Sequence, residues 1–368
     1  MQEKANSEIE LSKNKQPSRF FVSLIWGVLA FIVLAAIFAG FSHTTIIDKV
    51  LPLRSVGDYH AQFEIKWFKL EEYVKQNGGV DVILLGNSMV NTGIDPDTLS
   101  TRYEELTGQK LRVFNFGVEG LTVAPLSKVA NILEAHYHPG TILLVTDIRD
   151  YAKDNGIETE TQFLDNAWLQ QQLGTKTFKG NLIDSSSAIQ RLIVFRNWSS
   201  SQFIDSFVTS MVRIGKTDTD GYEAETNHGR DIDANPDPNN PQEKAIYEMF
   251  ANYTMDPSRI RSLQSILELK DQGTSVFVTG FPVYPTYYAY FSKEAQADFS
   301  NSITSIVTNS EGTYLPVIDQ SLIPFEGRSD NHHLNDKGAQ MFSKLLAEQL
   351  AAQCKDQGNC LKTSGGQQ

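Results

Sequence analysis

Asp81-Val82-Ile83-Leu84-Leu85-Gly86-Asn87-Ser88-Met89-Val90-Asn91-Thr92-Gly93-Ile94-Asp95 is the stretch that decides the fold. Four apolar residues in a row, Val82 to Leu85, predict a strand buried on both faces. The run stops at Gly86, where the backbone can turn without a Cβ penalty. Ser88 follows two residues later, where open α/β sheets bind their ligands, outside the carboxyl ends of the strands. Gly-Asn-Ser is also an ordinary turn sequence, so this stretch alone does not establish chemistry.

A second stretch supplies what a serine needs. Residues 329–340 read Ser-Asp-Asn-His-His-Leu-Asn-Asp-Lys-Gly-Ala-Gln, followed by a helical rhythm at Met341, Phe342, Leu345, Leu346 and Leu350. Asp330 and His333, three apart at a helix entry, suit a carboxylate that orients an imidazole toward a nucleophile elsewhere. The competing reading is that Asp330 only caps the helix and both histidines are solvated.

Together these stretches resemble the SGNH (GDSL-like) hydrolase superfamily, with its serine after the first strand and its Asp-x-x-His before the last helix. Val113-Phe114-Asn115-Phe116-Gly117 resembles the family's second block, in which a glycine N–H helps to form the oxyanion hole. Two departures stand out. The first block reads Gly-Asn-Ser rather than Gly-Asp-Ser. The third block, Gly-x-Asn-Asp, falls on Asp147-Ile148-Arg149-Asp150, so Arg149 stands where the oxyanion-binding asparagine belongs. The likeness covers about residues 78–150 and 260–353. In architecture the chain also resembles the membrane-anchored SGNH-like proteins that accompany O-acylation of bacterial cell-envelope polysaccharides. The resemblance implies a flavodoxin-like three-layer α/β sandwich with a five-stranded parallel sheet. It also implies an acylated glycan as substrate and a membrane-bound O-acyltransferase as partner.

The 368 residues suffice for one sizeable core with insertions, or for two domains. A net charge of −12 argues against a nucleic-acid partner. No motif calls for a cofactor or a metal.

Phe20 to Phe41 holds no charged side chain, long enough at 1.5 Å per residue to span a ~30 Å hydrocarbon core. Lys4, Lys13, Lys15 and Arg19 precede it and Lys49 and Arg54 follow, which places residues 1–19 in the cytoplasm and the main domain outside. A cleaved signal peptide fits less well, because the apolar run is long and Ile37 occupies the critical place before Ala39. Residues 42–59 read as a linker, 60–353 as the α/β domain, and 354–368 as a tail. The tail carries Cys354 and Cys360, the only cysteines, which an extracytoplasmic compartment would allow to pair.

Within 60–353 the expected elements alternate: a helix at 60–77, then strands at 82–85, 110–116, 141–146, 274–279 and 314–318, with helices at 96–106, 123–136, 259–271 and 292–309. Residues 151–258 break the alternation and read as an insertion over the catalytic edge. It holds helices at 163–173 and 187–212 and a long polar loop at 216–245. His228-Gly229-Arg230-Asp231 in that loop is a candidate for reaching a substrate. Asn87, Phe281, Tyr284 and Tyr287 are candidate substrate-binding residues, the aromatics as lining for an acyl or sugar pocket.

The expected chemistry is acyl transfer through Ser88, His333 and Asp330, with an oxyanion held by the N–H groups of Ser88 and Gly117 and by Arg149. Water as acceptor gives an esterase and a sugar hydroxyl gives a transferase, and the sequence does not separate them. Two other classes remain open: an SGNH-fold scaffold or binding protein with impaired catalysis, and a lipid or lipoprotein esterase.

Overall fold

A sheet of five parallel strands carries the molecule, in the order β2-β1-β3-β4-β5. The strands are β1 (Val82–Gly86), β2 (Val113–Gly117), β3 (Thr141–Thr146), β4 (Ser275–Gly280) and β5 (Thr313–Tyr314). The structure is a computed structural model that describes residues 19–41, 47, 50–57, 60–153, 155–229 and 240–364. β1 is paired on both edges, and all five of its residues are buried. Its side chains alternate between two cores: Ile83 and Leu85 point into one, Val82 and Leu84 into the other.

A parallel sheet needs cover on both faces. The helices in chain order are α1 (Arg19–Phe41), α2 (Ala61–Asn77), α3 (Ser88–Gly93), α4 (Pro96–Thr107) and α5 (Val123–Tyr137). The insertion adds α6 (Ile157–Leu164), α7 (Ala167–Gln172), α8 (Phe178–Asp184), α9 (Ser187–Ile193), α10 (Phe203–Lys216) and α11 (Pro241–Phe250). Then come α12 (Pro257–Leu267), α13 (Pro285–Tyr288), α14 (Lys293–Asn309) and α15 (Asp336–Gln357). α2, α5, α12 and α14 bury Trp67, Leu133, Leu263 and Val307 against one face. α4 and α15 bury Leu99, Phe342 and Leu346 against the other and pack on each other. The expected three-layer sandwich is what forms.

Local signals explain the boundaries. Asp95 caps α4 by accepting the N–H groups of Asp97 and Thr98, Pro96 fills the first turn, and Gly108 ends the helix. The expected helix 163–173 is two, α6 and α7, because Asn166 caps a new start by accepting the Leu169 N–H. The expected helix 187–212 also splits, into α9 and α10, with turns between them through Ser199-Ser200-Ser201, whose side chains compete for the backbone. The fifth strand is only Thr313–Tyr314.

Two segments are tied down where the sequence suggested loose chain. In the polar loop, Thr217 and Tyr222 are buried, and Asn115 donates its N–H to the Asp220 carbonyl at the free edge of β2. The fully buried Lys66 ammonium fastens the two sides, donating to the carbonyls of Asn115 and Gly221. Residues 51–57 of the expected linker are likewise packed, with Leu53 and Val56 buried and the Ser55 N–H on the Gln190 carbonyl. The rest of that linker except Ile47, residues 1–18, the loop part 230–239, and 365–368 lie outside the described residues.

The tail is no appendage either. α15 runs on to Gln357, and a disulfide joins Cys354 to Cys360. The chain then turns under the sheet. Leu361 is buried, the Lys362 N–H meets Thr141 Oγ1 at 2.8 Å, and the Ser364 N–H meets Asp81 Oδ1 at 2.9 Å.

α1 is a 23-residue apolar helix, as its sequence predicts. Side chains are described for 21–37 and Gly40 within it, and over the described residues no helix is long and apolar enough to cross a membrane. Phe20 and Phe41, the limits of the expected span, fall among the side chains that are not described.

Candidate active site

Ser88 opens α3 directly after β1, and the turn that places it leaves no room for a larger residue at Gly86. A Cβ there would stand 2.3 Å from Val90 Cγ2 and 2.6 Å from the Val145 carbonyl oxygen. Asn87 caps the short helix by accepting the Met89 N–H at 2.9 Å. α3 is also held from below. Asn115 Nδ2 donates to the carbonyls of Val90 and Ile94, each at 2.7 Å, so the first strand's serine is fixed by a buried amide on the second.

The histidine arrives on a closed loop. Arg328 and Leu334 pair antiparallel, the Ser329 N–H meets the His333 carbonyl, and Asn335 then caps α15 by accepting the Gly338 N–H. The fully buried Arg328 guanidinium anchors this loop on the carbonyls of Pro282, Gln320 and Ile323.

Within the loop, Asp330 Oδ1 accepts the N–H groups of His332 and His333, both at 2.7 Å. Its Oδ2 lies 2.7 Å from His333 Nδ1. A carboxylate only accepts, so the Nδ1 proton sits toward Asp330 and the lone pair is on Nε2. His333 Nε2 lies 2.7 Å from Ser88 Oγ. The three residues form an unbroken chain of hydrogen bonds at the carboxyl edge of the sheet. Burial pushes the Asp330 carboxyl upward, but the His333 hydrogen bond and the interactions with both imidazoles and the His332 N–H outweigh it and hold it well below the usual range.

His332 shares the same acid. Its Nδ1 is 2.8 Å from Asn331 Oδ1 and 3.1 Å from Asp330 Oδ1, and its ring lies 4.0 Å from that of His333. Burial first, and then the neighbouring His333, lower its pKa, so it stands neutral. Asp330, His332 and His333 also bring one potential metal-ligand atom each within 4.8 Å of one another. Their hydrogen bonds run to one another, to Asn331 and to Ser88.

Gly117, expected to donate its N–H to an oxyanion, has that N–H engaged by Asn115 Oδ1 at 2.9 Å. Gly117 is a glycine for another reason: a Cβ would stand 2.3 Å from the Asn91 nitrogen, because α3 lies against the end of β2. Beyond it, the Val118 N–H meets the Gly86 carbonyl and the Glu119 N–H meets Gln62 Oε1. Among the described residues, Gly120 offers the first N–H after β2 that has no partner.

Arg149 lies in the turn after β3, where Asp147 accepts the N–H groups of Arg149 and Asp150. Its guanidinium makes no hydrogen bond or ion pair among the described residues and stands 5.8 Å over the Tyr287 ring. Burial works against its charge, but Tyr287, Asp147, Asp150 and Asp330 together raise its pKa further.

Behind it, Asp150 is buried and accepts from Asn87 Nδ2, the Thr146 hydroxyl and the Asp147 N–H. Burial and then the Asp147 charge push the Asp150 carboxyl up to about 7.

The expected substrate-binding set mostly serves other ends. Asn87 is 4% exposed, with its amide engaged by Met89 and Asp150. Phe281 is 1% exposed and packs on Phe342 in the core. Tyr287 is 2% exposed, its hydroxyl on Asp147 Oδ2 and its ring beside His332. Tyr284, half-buried, lies between Phe325 and Arg328. His228 sits against Asn335 Nδ2 at 3.4 Å, while Arg230 and Asp231 fall outside the described residues.

No family model matches the chain, and no curated protein does. Solved structures do. The chain is similar to TesA (TM-score 0.39, 12% identity), with 75% of this chain and 98% of that one covered. It is also similar to a lipase/acylhydrolase from Enterococcus faecalis (TM-score 0.38, 8% identity, 74% and 96% covered). A third is a catalytic mutant of Axe2, an acetylxylan esterase from Geobacillus stearothermophilus (TM-score 0.37, 11% identity, 74% and 94% covered). At these scores and identities they assign no residue of this chain a role. Its own features do more: serine after the first strand, Asp-x-x-His before the last helix and the parallel sheet between them make the chain similar to the SGNH (GDSL-like) hydrolases.

Proposed function

We propose that the chain is a serine-dependent acyl-ester enzyme, an esterase or O-acyltransferase. The observation that carries this reading is the hydrogen-bonded run from Asp330 through His333 to Ser88. In this mechanism His333 Nε2 takes the Ser88 proton as Oγ attacks the ester carbonyl. The negative charge that develops on the carbonyl oxygen is met by the Ser88 N–H, by Arg149 and by the Gly120 N–H in place of that of Gly117. The imidazolium returns its proton to the leaving alcohol, which leaves an acyl group on Ser88. Water or a sugar hydroxyl, deprotonated by the same imidazole, then takes the acyl group and restores the serine.

The finer reading is a single-pass protein anchored by residues 20–41, its main domain outside the cytoplasm, acting on acyl esters of a cell-envelope glycan. The apolar α1 and the polysaccharide-associated resemblance support it. The occupied Gly117 N–H favours a second reading, a scaffold that keeps the fold and has lost turnover.

One assay separates the two. Purified full-length chain is incubated with a small chromogenic acetyl ester, and trapped acetyl-enzyme is sought by mass spectrometry. Hydrolysis, with an acetyl group on the peptide containing Ser88, supports the enzyme. Release no faster than that of Ser88→Ala supports the scaffold.

A further inference from the structure

The insertion carries a surface that the triad does not use. α10 has no buried residue. On one side it lies along α2, with Arg213 paired to Glu119 and Glu223. On the other, Ile204, Val208 and Val212, four residues apart and so on one helical stripe, stand exposed. Leu192, Phe195 and Trp198 carry the apolar surface back to α9, Trp198 being 73% exposed and Ile204 70%. Apolar side chains gathered in this way, rather than scattered singly, mark a contact surface.

Two observations say what covers it. The first is charge. Residues 174–216 hold six Lys and Arg against two Asp, in a chain whose net charge is −12. Lys176, Lys179, Arg196 and Lys216 among them are exposed. The second is position. α1 comes against α9, and the segment after α1 is fastened there as well. The Ser55 N–H bonds the Gln190 carbonyl, Arg54 bonds the Gln190 side chain, and Arg191 bonds the Leu51 carbonyl. The basic, apolar face therefore begins where the apolar helix meets the domain.

We propose that α9 and α10 lie on the anionic lipid surface of the membrane that α1 enters. The six apolar side chains reach below the headgroups, and the exposed Lys176, Lys179 and Lys216 meet the phosphates. This rests on reading α1 as a membrane anchor. The face would then hold the catalytic domain at a set tilt over the bilayer.

The test uses the full chain in liposomes of phosphatidylcholine and phosphatidylglycerol, with plain or brominated acyl chains. Trp26 reports α1 and Trp198 reports the face, while Trp67 and Trp168 are buried in the core. The Trp26→Phe chain should lose emission in brominated liposomes, and the Trp26→Phe/Trp198→Phe chain should not. Equal emission from Trp26→Phe in both liposomes overturns the proposal. The Trp198→Phe chain, which keeps Trp26, then tells the two failures apart. Quenched, it leaves the anchor standing and removes only the face; unquenched, it removes the anchor as well. Unquenched Trp198 together with a protein cross-linked from position 208 in cells would assign the face to a protein partner and overturn the lipid reading.

Discussion

His333 Nε2 stands 2.7 Å from Ser88 Oγ, across 245 positions of sequence. If that contact is the working base–nucleophile pair, Ser88→Ala and His333→Ala each abolish ester turnover, and the double variant costs little more than either alone. Initial rates on the acetyl ester, with folding checked by thermal unfolding, decide it. Additive losses would mean that the two residues act separately.

Arg149→Ala should lower kcat by roughly 10²–10³ and leave KM nearly unchanged, the pattern of a donor used only in the transition state. Its guanidinium offsets the charges of Asp147, Asp150 and Asp330 around it, so the melting temperature should fall modestly while kcat falls far more. A variant that melts much lower with kcat intact would make Arg149 a structural residue.

Gly117→Ala and Gly120→Ala separate packing from chemistry. At 117 the added methyl meets the α3 backbone at 2.3 Å, so the loss of stability should reach or exceed the upper end of the ~1–3 kcal/mol overpacking range. At 120 the nearest heavy atom to an added Cβ is 4.0 Å away, and the left-handed backbone there costs about 1 kcal/mol for a residue with a side chain. Denaturant unfolding measures both. A mild Gly117→Ala would contradict the packing described.

Asp150 should give the stability a pH slope. Its pKa is about 7 in the fold against 3.8 unfolded, so between these values the folded chain binds the extra proton. This group's contribution to stability is therefore present in acid and falls as pH rises from about 4 to 7. Asp150→Asn should remove that part of the slope. Thermal unfolding across the range checks it, and an unchanged slope would show that Asp150 is ionised throughout.

The sheet and the triad were legible because each rests on short-range pattern: a four-residue apolar run before Ser88, and an acid three residues before an imidazole. What surrounds them was not. Gly117 looked like an oxyanion donor because a glycine ending a buried strand also suits one. Only the position of α3 shows that it is there to admit a neighbouring backbone. Asn115, which holds that helix, sits among apolar residues with nothing local to mark its partners, Val90 and Ile94. A buried asparagine amid Val113, Phe114 and Phe116 was itself a signal, since such an amide must find hydrogen bonds. Phe281 and Tyr287 looked like pocket lining because aromatic residues after a strand suit either a pocket or a core, and burial alone separates the two. Arg328 was overlooked for a similar reason, as its carbonyl partners lie on other loops.

The clasp beneath the sheet sets a timetable. Asp81, at the foot of β1, accepts from Arg112 and from Ser364, while Thr141 at the foot of β3 is met by Lys362. Ser88 and its strand leave the ribosome early, yet the foot of that strand has no complete set of partners until residue 364 is clear of the exit tunnel. His333 also comes 245 positions after Ser88. Both ends of the first strand thus wait for chain made much later, His333 at the upper end and Ser364 at the lower.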